Sequence, residues 1–179
     1  MAYRTPEEVE VLSAPGNIRR LRSGAKDNWR TPLPLFDAIQ RRLRISSFIC
    51  DLAADEDNHL CDVWIGAEED ALSVRWPVDG WSWCNPPYSL TKEFVAKAID
   101  ESYKSPSVLL VPAATDTRWW GEAFANADVV LLLTGRVSFV SPETGKPVSG
   151  NTTGSTVFAF GGIHARDIHV WDWKKDLSR

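Results

Sequence analysis

Four consecutive residues, Asn85, Pro86, Pro87 and Tyr88, follow the aromatic stretch WSWC and combine hydrogen-bond acceptors with a ring. The Asn85 side-chain oxygen is one acceptor, and the Pro86 carbonyl is a second, held at a fixed angle by Pro87. Two converging acceptors suit a planar amino group, which has two hydrogens to donate. The Tyr88 ring offers a face on which a base could stack. The tetrad therefore predicts a receptor for an exocyclic ring amine or an amide.

Such a receptor could also activate the amine that it binds. An aromatic amine is a poor nucleophile because its lone pair is delocalised into the ring. Accepting both hydrogens favours a pyramidal nitrogen, whose lone pair could attack a methyl sulfonium held in line. Positioning and fixed dipoles would supply most of the catalysis. The plainer interpretation is that Pro-Pro ends a strand and Asn85 caps a turn.

Length and composition indicate one ordinary globular domain. The chain has 179 residues, of which 44% are hydrophobic and 25% charged, with a net charge of −4. This charge argues against a generally basic nucleic-acid binder, so any such contact needs a local patch. No apolar run is long enough to span a bilayer, and the N-terminus lacks the apolar core of a signal peptide. We expect a cytoplasmic protein.

The cysteines allow two interpretations. Cys50, Cys61 and Cys84, together with His59, could form a zinc set. No Cys-x-x-Cys pair is present, however, and Cys50 and Cys84 lie in apolar runs that resemble strands. We therefore expect buried free thiols in a reducing compartment and no metal site.

The elements that must position the tetrad follow from the hydrophobic pattern. A first helix is predicted with Thr31 as its cap and Pro32 as its first residue. Further helices are predicted over 90–104 and from a cap at Asp116 or Thr117. Short strands are predicted ending at Asp51 and over 63–65, 81–84, 107–112, 128–133, 136–140 and 155–160.

This alternation predicts an α/β domain with a mostly parallel, twisted sheet. The last two predicted strands, 136–140 and 155–160, are expected to form an antiparallel pair at its edge. Ligands bind beyond the carboxyl ends of parallel strands, so the DLAAD loop (51–55) and the tetrad should share one rim. Residues 1–27 are predicted to be a mobile basic arm and 28–179 a single domain. Phosphate contacts from the arm would come from Arg19, Arg20, Arg22 and Lys26.

The tetrad resembles the motif of S-adenosylmethionine-dependent amino-methyltransferases, and the chain around it resembles the phage-type DNA N-6-adenine methyltransferase family. The matching segments, in the family's order, are WRTP (29–32), CDLAAD (50–55), EDAL (69–72), WCNPPYS (83–89), LLVPAATDTRWW (109–120) and GRVSF (135–139). They cover residues 28–160 and leave the arm and the tail DWKKDLSR unmatched. The resemblance implies a Rossmann-like class I methyltransferase fold and a phage or prophage source.

The resemblance also implies a pocket for S-adenosylmethionine built from three segments, whose candidate residues are Trp29, Thr31, Pro32, Asp51, Ala53, Asp55, Asp70, Ala71 and Leu72. The first segment would hold the methionine end. The second would accept from the ammonium or the ribose, although alanines stand where the family usually has a glycine-rich turn. The third would meet the adenine ring. The alternatives are a plain helix start, a solvated acidic loop and a turn, respectively.

Three residues are candidates for the substrate side: Arg118 just after a predicted strand, and Arg136 and Phe139 within the predicted strand 136–140. Arg118 could meet a phosphate, and Arg136 could contact the DNA backbone. Phe139 could be a second stacking face for an extruded base, with core packing as the alternative. Methylation inside a duplex requires base flipping, and loop 141–154 would read the sequence.

The sequence thus predicts a site-specific DNA adenine-N6 methyltransferase that uses S-adenosylmethionine and acts on double-stranded DNA as a monomer or weak dimer in a bacterial host cell. Because Asn at this tetrad position is also found in enzymes that methylate protein glutamine or guanine, the tetrad alone does not establish adenine. Cytosine N4, RNA adenine and protein glutamine stay open as the target amine. An inactive module that binds cofactor or DNA is the other alternative, favoured by the alanines of the first loop.

Overall fold

The computed structural model describes residues 27–148, 151–162 and 165–177. The predicted arm lies outside these residues, apart from its last member, Asp27. The helices are α1 (Leu33–Leu43), α2 (Thr91–Glu101), α3 (Arg118–Asn126) and α4 (Trp173–Asp176). The strands are β1 (Cys50–Asp51), β2 (Ser82–Cys84), β3 (Ser107–Pro112), β4 (Val129–Leu133), β5 (Ser155–Phe160) and β6 (Asp167–Trp171).

The strands form one six-stranded sheet in the order β1-β2-β3-β5-β4-β6. β1, β2 and β3 pair in parallel, and so do β4 and β6. β5 is antiparallel to both of its neighbours, β3 and β4. The predicted mixed α/β domain with a mostly parallel sheet is therefore confirmed.

The predicted position of the antiparallel pair is wrong. β5 lies inside the sheet, between β3 and β4, and all six of its residues are buried. Residues 136–140 are not a strand: Gly135, with a φ of 75°, turns the chain away after β4. Val140 forms only isolated bridges, to Arg30 and Pro147. The edge strands are β1 and β6, and β6 was not predicted because polar residues interrupt its apolar pattern.

Helices cover both faces of the sheet, and each face has its own core. One core joins α1 and α4 to the sheet through Leu35, Ile39, Trp83, Leu131 and Val157. The other joins α2 and α3 to it through Phe94, Ala98, Leu109, Val130 and Phe158. Strands covered on both faces are continuously apolar, as seen in SVLLVP and VVLLL. Each such buried side chain contributes roughly 1.5–3 kcal/mol.

Of the two predicted helix caps, the one at the start of α3 is correct and the one at the start of α1 is wrong. Thr117 caps α3, because its Oγ1 accepts from the Trp120 backbone N–H. Thr31 does not cap α1: Pro32 occupies the cap position in extended geometry, and no side chain caps this helix. Pro32 is therefore not the first helical residue, and the Thr31 hydroxyl is left for another role.

The carboxyl ends of β1, β2, β3 and β4 lie along one rim, as predicted, because these four strands point the same way. This rim carries the DLAAD loop, the tetrad, the turn before α3 and the segment 135–139. The predicted strand 63–65 lies beside β1 but contributes only a bridge between Trp64 and Asp51.

The three cysteines are buried free thiols, as expected. Among residues 27–148, 151–162 and 165–177, no group of three histidine, cysteine or acidic side chains is arranged to hold a metal ion. No helix in the same ranges has both the length and the apolar character needed to cross a bilayer.

Candidate active site

A small cavity lies where β1 and β2 end. The parallel register sets Asp51 beside Trp83, so the two following loops diverge from adjacent strand ends. The cavity is lined by Thr31, Asp51, Ala53, Asn58, Leu60, Trp83 and Asn85. It is partly open to the surface, and its volume of about 10 Å³ has room for one water-sized group. It therefore fits the polar end of a ligand rather than a whole cofactor.

Asp51 is a buried carboxylate, only 3% exposed. Its Oδ1 accepts from the Ala53 backbone N–H at 3.3 Å, and its Oδ2 accepts from that of Leu60 at 3.1 Å. Burial raises its pKa to about 6, and these two hydrogen bonds partly oppose that rise. The site thus holds a desolvated acidic group that a cationic ligand group would stabilise in its charged form.

Two buried polar atoms at the cavity have no hydrogen-bond partner in the described part of the chain, namely Thr31 Oγ1 and Asn85 Oδ1. The Asn85 amide nitrogen, by contrast, donates to the Trp29 carbonyl at 2.8 Å. A buried polar atom without a partner costs about 1–3 kcal/mol and calls for an explanation. Ligand groups that pair with each of these atoms would supply one.

The prolines of the tetrad have different roles. The Pro87 carbonyl accepts from the Leu90 backbone N–H at 2.9 Å and so belongs to the short 3₁₀ turn that leads into α2. For the Pro86 carbonyl, no hydrogen bond is found within the ranges that the structure describes. Of the two prolines, Pro86 is thus the one whose carbonyl has no hydrogen-bond donor among the described residues.

Three aromatic rings pack together at the tetrad, and one of them is that of Tyr88, its last residue. Trp29 stacks on Phe139, with ring centroids 5.7 Å apart and an interplanar angle of 26°. Tyr88 meets both of them edge-on, at 6.2 Å from Trp29 and 6.4 Å from Phe139. Phe139 is 1% exposed and belongs to the core, so its position matches core packing, the alternative to a stacking role. Burial raises the pKa of the Tyr88 phenol to about 12, so the ring stays neutral.

Residues 27–31, which we call the strap, cross over the tetrad. The Asp27 carboxylate accepts from the Ser89 backbone N–H at 3.0 Å. Arg30 and Val140 exchange two backbone hydrogen bonds of 3.0 and 2.9 Å. The strap therefore joins the tetrad to the segment after β4. Its contact through Asp27 was not predicted, since that residue was assigned to the arm.

Comparisons with known proteins show which family the chain belongs to. The family described as DNA N-6-adenine-methyltransferase (Dam) matches residues 19–175. The chain belongs to this family. The match starts within the predicted arm and extends beyond β6, so it is wider than the segments 28–160 that carried the resemblance.

Two phage proteins named DNA N-6-adenine-methyltransferase are similar to the chain. That of Escherichia phage T1 is 30% identical over 173 residues, which cover 88% of this chain and 72% of the relative. That of Haemophilus phage HP1 is 31% identical over 129 residues, which cover 70% of this chain and 73% of the relative. Membership therefore covers the tetrad, the cavity and the sheet that positions them.

Within this methyltransferase, the structure gathers only part of the predicted cofactor set at the cavity. Ala53 lines it together with Thr31 and Asp51. Asp55 is exposed, and its carboxylate accepts from the Asp57 backbone N–H in its own loop. Asn58 and Leu60 line the cavity but were not predicted. Their position in the sequence could have predicted them, because the loop that follows β1 folds back and brings its last residues close to Asp51.

The third predicted cofactor segment, residues 70–72, does not line this cavity. Asp70 has a φ of 51°, and its carboxylate accepts from the Leu72 backbone N–H and the Ser73 hydroxyl. The Ala71 carbonyl accepts from the Trp76 indole, and the Leu72 carbonyl accepts from Lys97 Nζ. These contacts make the segment a well-anchored turn.

The predicted DNA-contacting arginines lie on the rim. Arg118 is the first residue of α3, and Arg136 follows β4 by three positions. Both side chains are exposed. Their placement leaves them free to approach a polyanion that reaches the tetrad.

Proposed function

We propose that this family member transfers a methyl group from S-adenosylmethionine to N6 of an adenine flipped out of double-stranded DNA. The observation that carries the proposal is the unpartnered Asn85 Oδ1 in a cavity shared with Asp51 and Thr31. A mostly parallel sheet with helices on both faces supports a Rossmann-like class I methyltransferase architecture. We propose a monomer or weak dimer that acts in the host cytoplasm.

The residues at the cavity fit the amino-acid end of S-adenosylmethionine. The Asp51 carboxylate suits an ammonium group, and the Thr31 hydroxyl can donate to a carboxylate. Ala53 allows fairly close approach of the backbone. When bound, the cofactor supplies an electrophilic methyl group on a sulfonium. The segment 70–72, in which Leu72 is half-buried, would meet its adenine end only if the ligand extends beyond this small cavity.

Asn85 and Pro86 would orient and activate the target amine. Their two oxygens accept the two N6 hydrogens, which favours a pyramidal nitrogen with an available lone pair. That pair forms the N–C bond while the S–C bond breaks and its electrons return to sulfur. The extra proton on N6 then leaves to water. These fixed acceptors require no strong base, because they stabilise the charge that develops on nitrogen.

The remaining rim residues would hold the DNA. Tyr88 offers a ring edge and face near the amine site, with Phe139 behind it in the core. Arg118 and Arg136 would neutralise phosphates, and loop 141–154 would meet bases. Flipping is required because N6 is paired inside a duplex and cannot reach the two acceptors there.

The deciding experiment is digestion of treated duplex DNA to nucleosides and mass spectrometry for N6-methyldeoxyadenosine. We expect the product with the wild type and with Asn126→Ala, an exposed control at the end of α3. Asn85→Ala should bind the cofactor and lose turnover by about a hundredfold to a thousandfold, as on loss of one fixed hydrogen-bonding group. Turnover of Asn85→Ala at the wild-type rate would contradict the assigned role.

A further inference from the structure

We infer that the backbone carbonyl of Trp29 is a positioning group that fixes the orientation of the Asn85 amide, and that it makes Asn rather than Asp the residue required at position 85 of this chain. The inference rests on the proposed function and deepens it. It concerns the strap, 56 residues before Asn85 in the sequence, rather than the tetrad itself.

Only one orientation of the Asn85 amide is compatible with its contact with the Trp29 carbonyl. A carbonyl oxygen can only accept, so the amide nitrogen must be the atom that faces Trp29 at 2.8 Å. The amide oxygen then points the other way, into a buried position without a partner among the described residues. A terminal amide torsion is otherwise broad and nearly two-fold. In the reverse orientation, an NH₂ group would face the incoming amine, and two donors would meet.

The Trp29 carbonyl is held on both sides and cannot easily withdraw. On one side, Asp27 accepts from the Ser89 backbone N–H. On the other side, Arg30 is paired with Val140 by two backbone hydrogen bonds. The indole between these anchors is stacked on the buried ring of Phe139. The strap therefore behaves as a fixed acceptor rather than as an adaptable loop.

A carboxylate at position 85 would conflict with this acceptor. The Asn85→Asp change replaces the donating nitrogen with an oxygen that faces the Trp29 carbonyl oxygen, and neither atom has a hydrogen to share. The protonated carboxyl group removes the conflict, because its O–H can donate to Trp29 while the other oxygen remains for the substrate. The variant should therefore work in its protonated form and fail in its ionised form.

Neighbouring charged groups affect the pKa of the carboxyl group that Asn85→Asp introduces. Asp51 lines the same cavity, and its negative charge opposes ionisation of a second carboxyl group. Asp27 and Arg30 are the charged residues of the strap, with opposite signs. Tyr88 and Cys84 on the tetrad's own segment stay neutral, because burial raises the pKa of the phenol to about 12 and that of the thiol well above its usual value. The wild type shares all these groups and serves as the reference.

The first measurement is kcat/KM for DNA methylation by Asn85→Asp relative to the wild type, between about pH 5.5 and about pH 8.5. We expect this ratio to fall by about tenfold per pH unit once the introduced carboxyl group loses its proton. Asn126→Asp is the matched control, since the Asn126 amide also donates to a backbone carbonyl at 2.8 Å, but on the exposed end of α3. Its ratio should stay flat. A flat ratio for Asn85→Asp, whether near one or near zero, overturns the inference.

The second measurement needs no activity. The denaturant-induced unfolding of the same variants is compared at about pH 5.5 and about pH 8.5. The folded state of Asn85→Asp should hold its proton more tightly than the unfolded chain, so its stability relative to the wild type should fall as pH rises. Asn126→Asp should show no such change. Equal stability of Asn85→Asp and the wild type at both pH values overturns the inference. If the wild type methylates no DNA, the proposed function fails, while this unfolding series still decides whether the Trp29 contact selects Asn.

Discussion

At the carboxyl ends of β1 and β2, the buried polar groups of Thr31, Asp51 and Asn85 surround a cavity, whereas the opposite end of the sheet is closed by tightly packed backbone. There Gly161, just after β5, has a φ of 82° and lies against the Ser102 carbonyl, so that a methyl group on its Cα would overlap that oxygen. Its N–H donates to the Asp128 carboxylate at 2.7 Å. The first end carries buried polar groups around a cavity, whereas the opposite end is packed backbone against backbone at Gly161.

One aspartate at each end of the sheet, Asp51 at the cavity and Asp128 at the opposite end, illustrates the difference between the two ends. Asp128 accepts a backbone hydrogen bond that locks a turn, and it stays half-buried. Asp51 is almost fully buried, and its pKa is raised to about 6 because burial outweighs its two hydrogen bonds. At the end with the cavity, buried polar groups lower the stability of the fold, and a bound ligand can remove that cost. At the opposite end, the polar contact contributes stability.

The largest expected effect is on stability at the closed end. Gly161→Ala combines a left-handed φ with a direct overlap, so we expect it to lower the free energy of unfolding by roughly 3 kcal/mol or more. Gly135→Ala on the open rim has a similar φ of 75° but no atom within 4 Å of the added carbon. It should lose only the backbone part, about 1–2 kcal/mol. Denaturant titration of both variants measures the difference, and equal losses would contradict the contrast between the two ends.

The next effect concerns cofactor binding by Asp51. If its ionised carboxylate holds the ammonium group, affinity for S-adenosylmethionine should weaken as pH falls through about 6, the pKa to which burial raises this residue. Asp51→Asn should bind about tenfold or more weakly near neutral pH and lose this pH dependence. Calorimetric titration across the range measures both. A wild-type affinity independent of pH would remove Asp51 from the ammonium site.

The same residue predicts a change in stability without ligand. Because the folded-state pKa of Asp51 is raised above its unfolded value, the protonated form stabilises the fold, and that contribution is lost as pH rises from about 4 to about 6. Relative to Asp51→Asn, the wild type should lose about 2 kcal/mol across this window. Asp55→Asn, an exposed change in the same loop, should show no comparable difference.

The smallest expected effect is on DNA affinity. Arg118→Ala should leave the free energy of unfolding within about 0.5 kcal/mol, because the side chain is exposed. It should weaken DNA binding and reduce the dependence of log K on log salt by about one. Arg42→Ala, an exposed change in the last turn of α1, is the control. A salt dependence equal for Arg118→Ala and the wild type would place Arg118 outside the DNA interface.

Local patterns in the sequence were sufficient for most of the elements. Hydrophobic periodicity and turn residues identified α2, α3, β2, β3 and β4, because these signals act over a few neighbouring residues. The acceptor groups of Asn85 and Pro86 follow directly from their residue types. Their place on a shared rim with Asp51 follows from alternating strands and helices, which favour a parallel sheet.

Tertiary structure determined which partners these groups meet. Local patterns do not specify that β5 inserts between β3 and β4, because the choice of neighbour depends on how both faces of a strand become buried. Nor do they show that the Thr31 hydroxyl has no partner among the residues that the structure describes, or that Phe139 lies in the core against Trp29. The sequence alone supplies an amide at position 85. Its orientation comes from a carbonyl that only folding brings within 2.8 Å, since hydrogen bonds between distant segments depend on geometry rather than on sequence spacing.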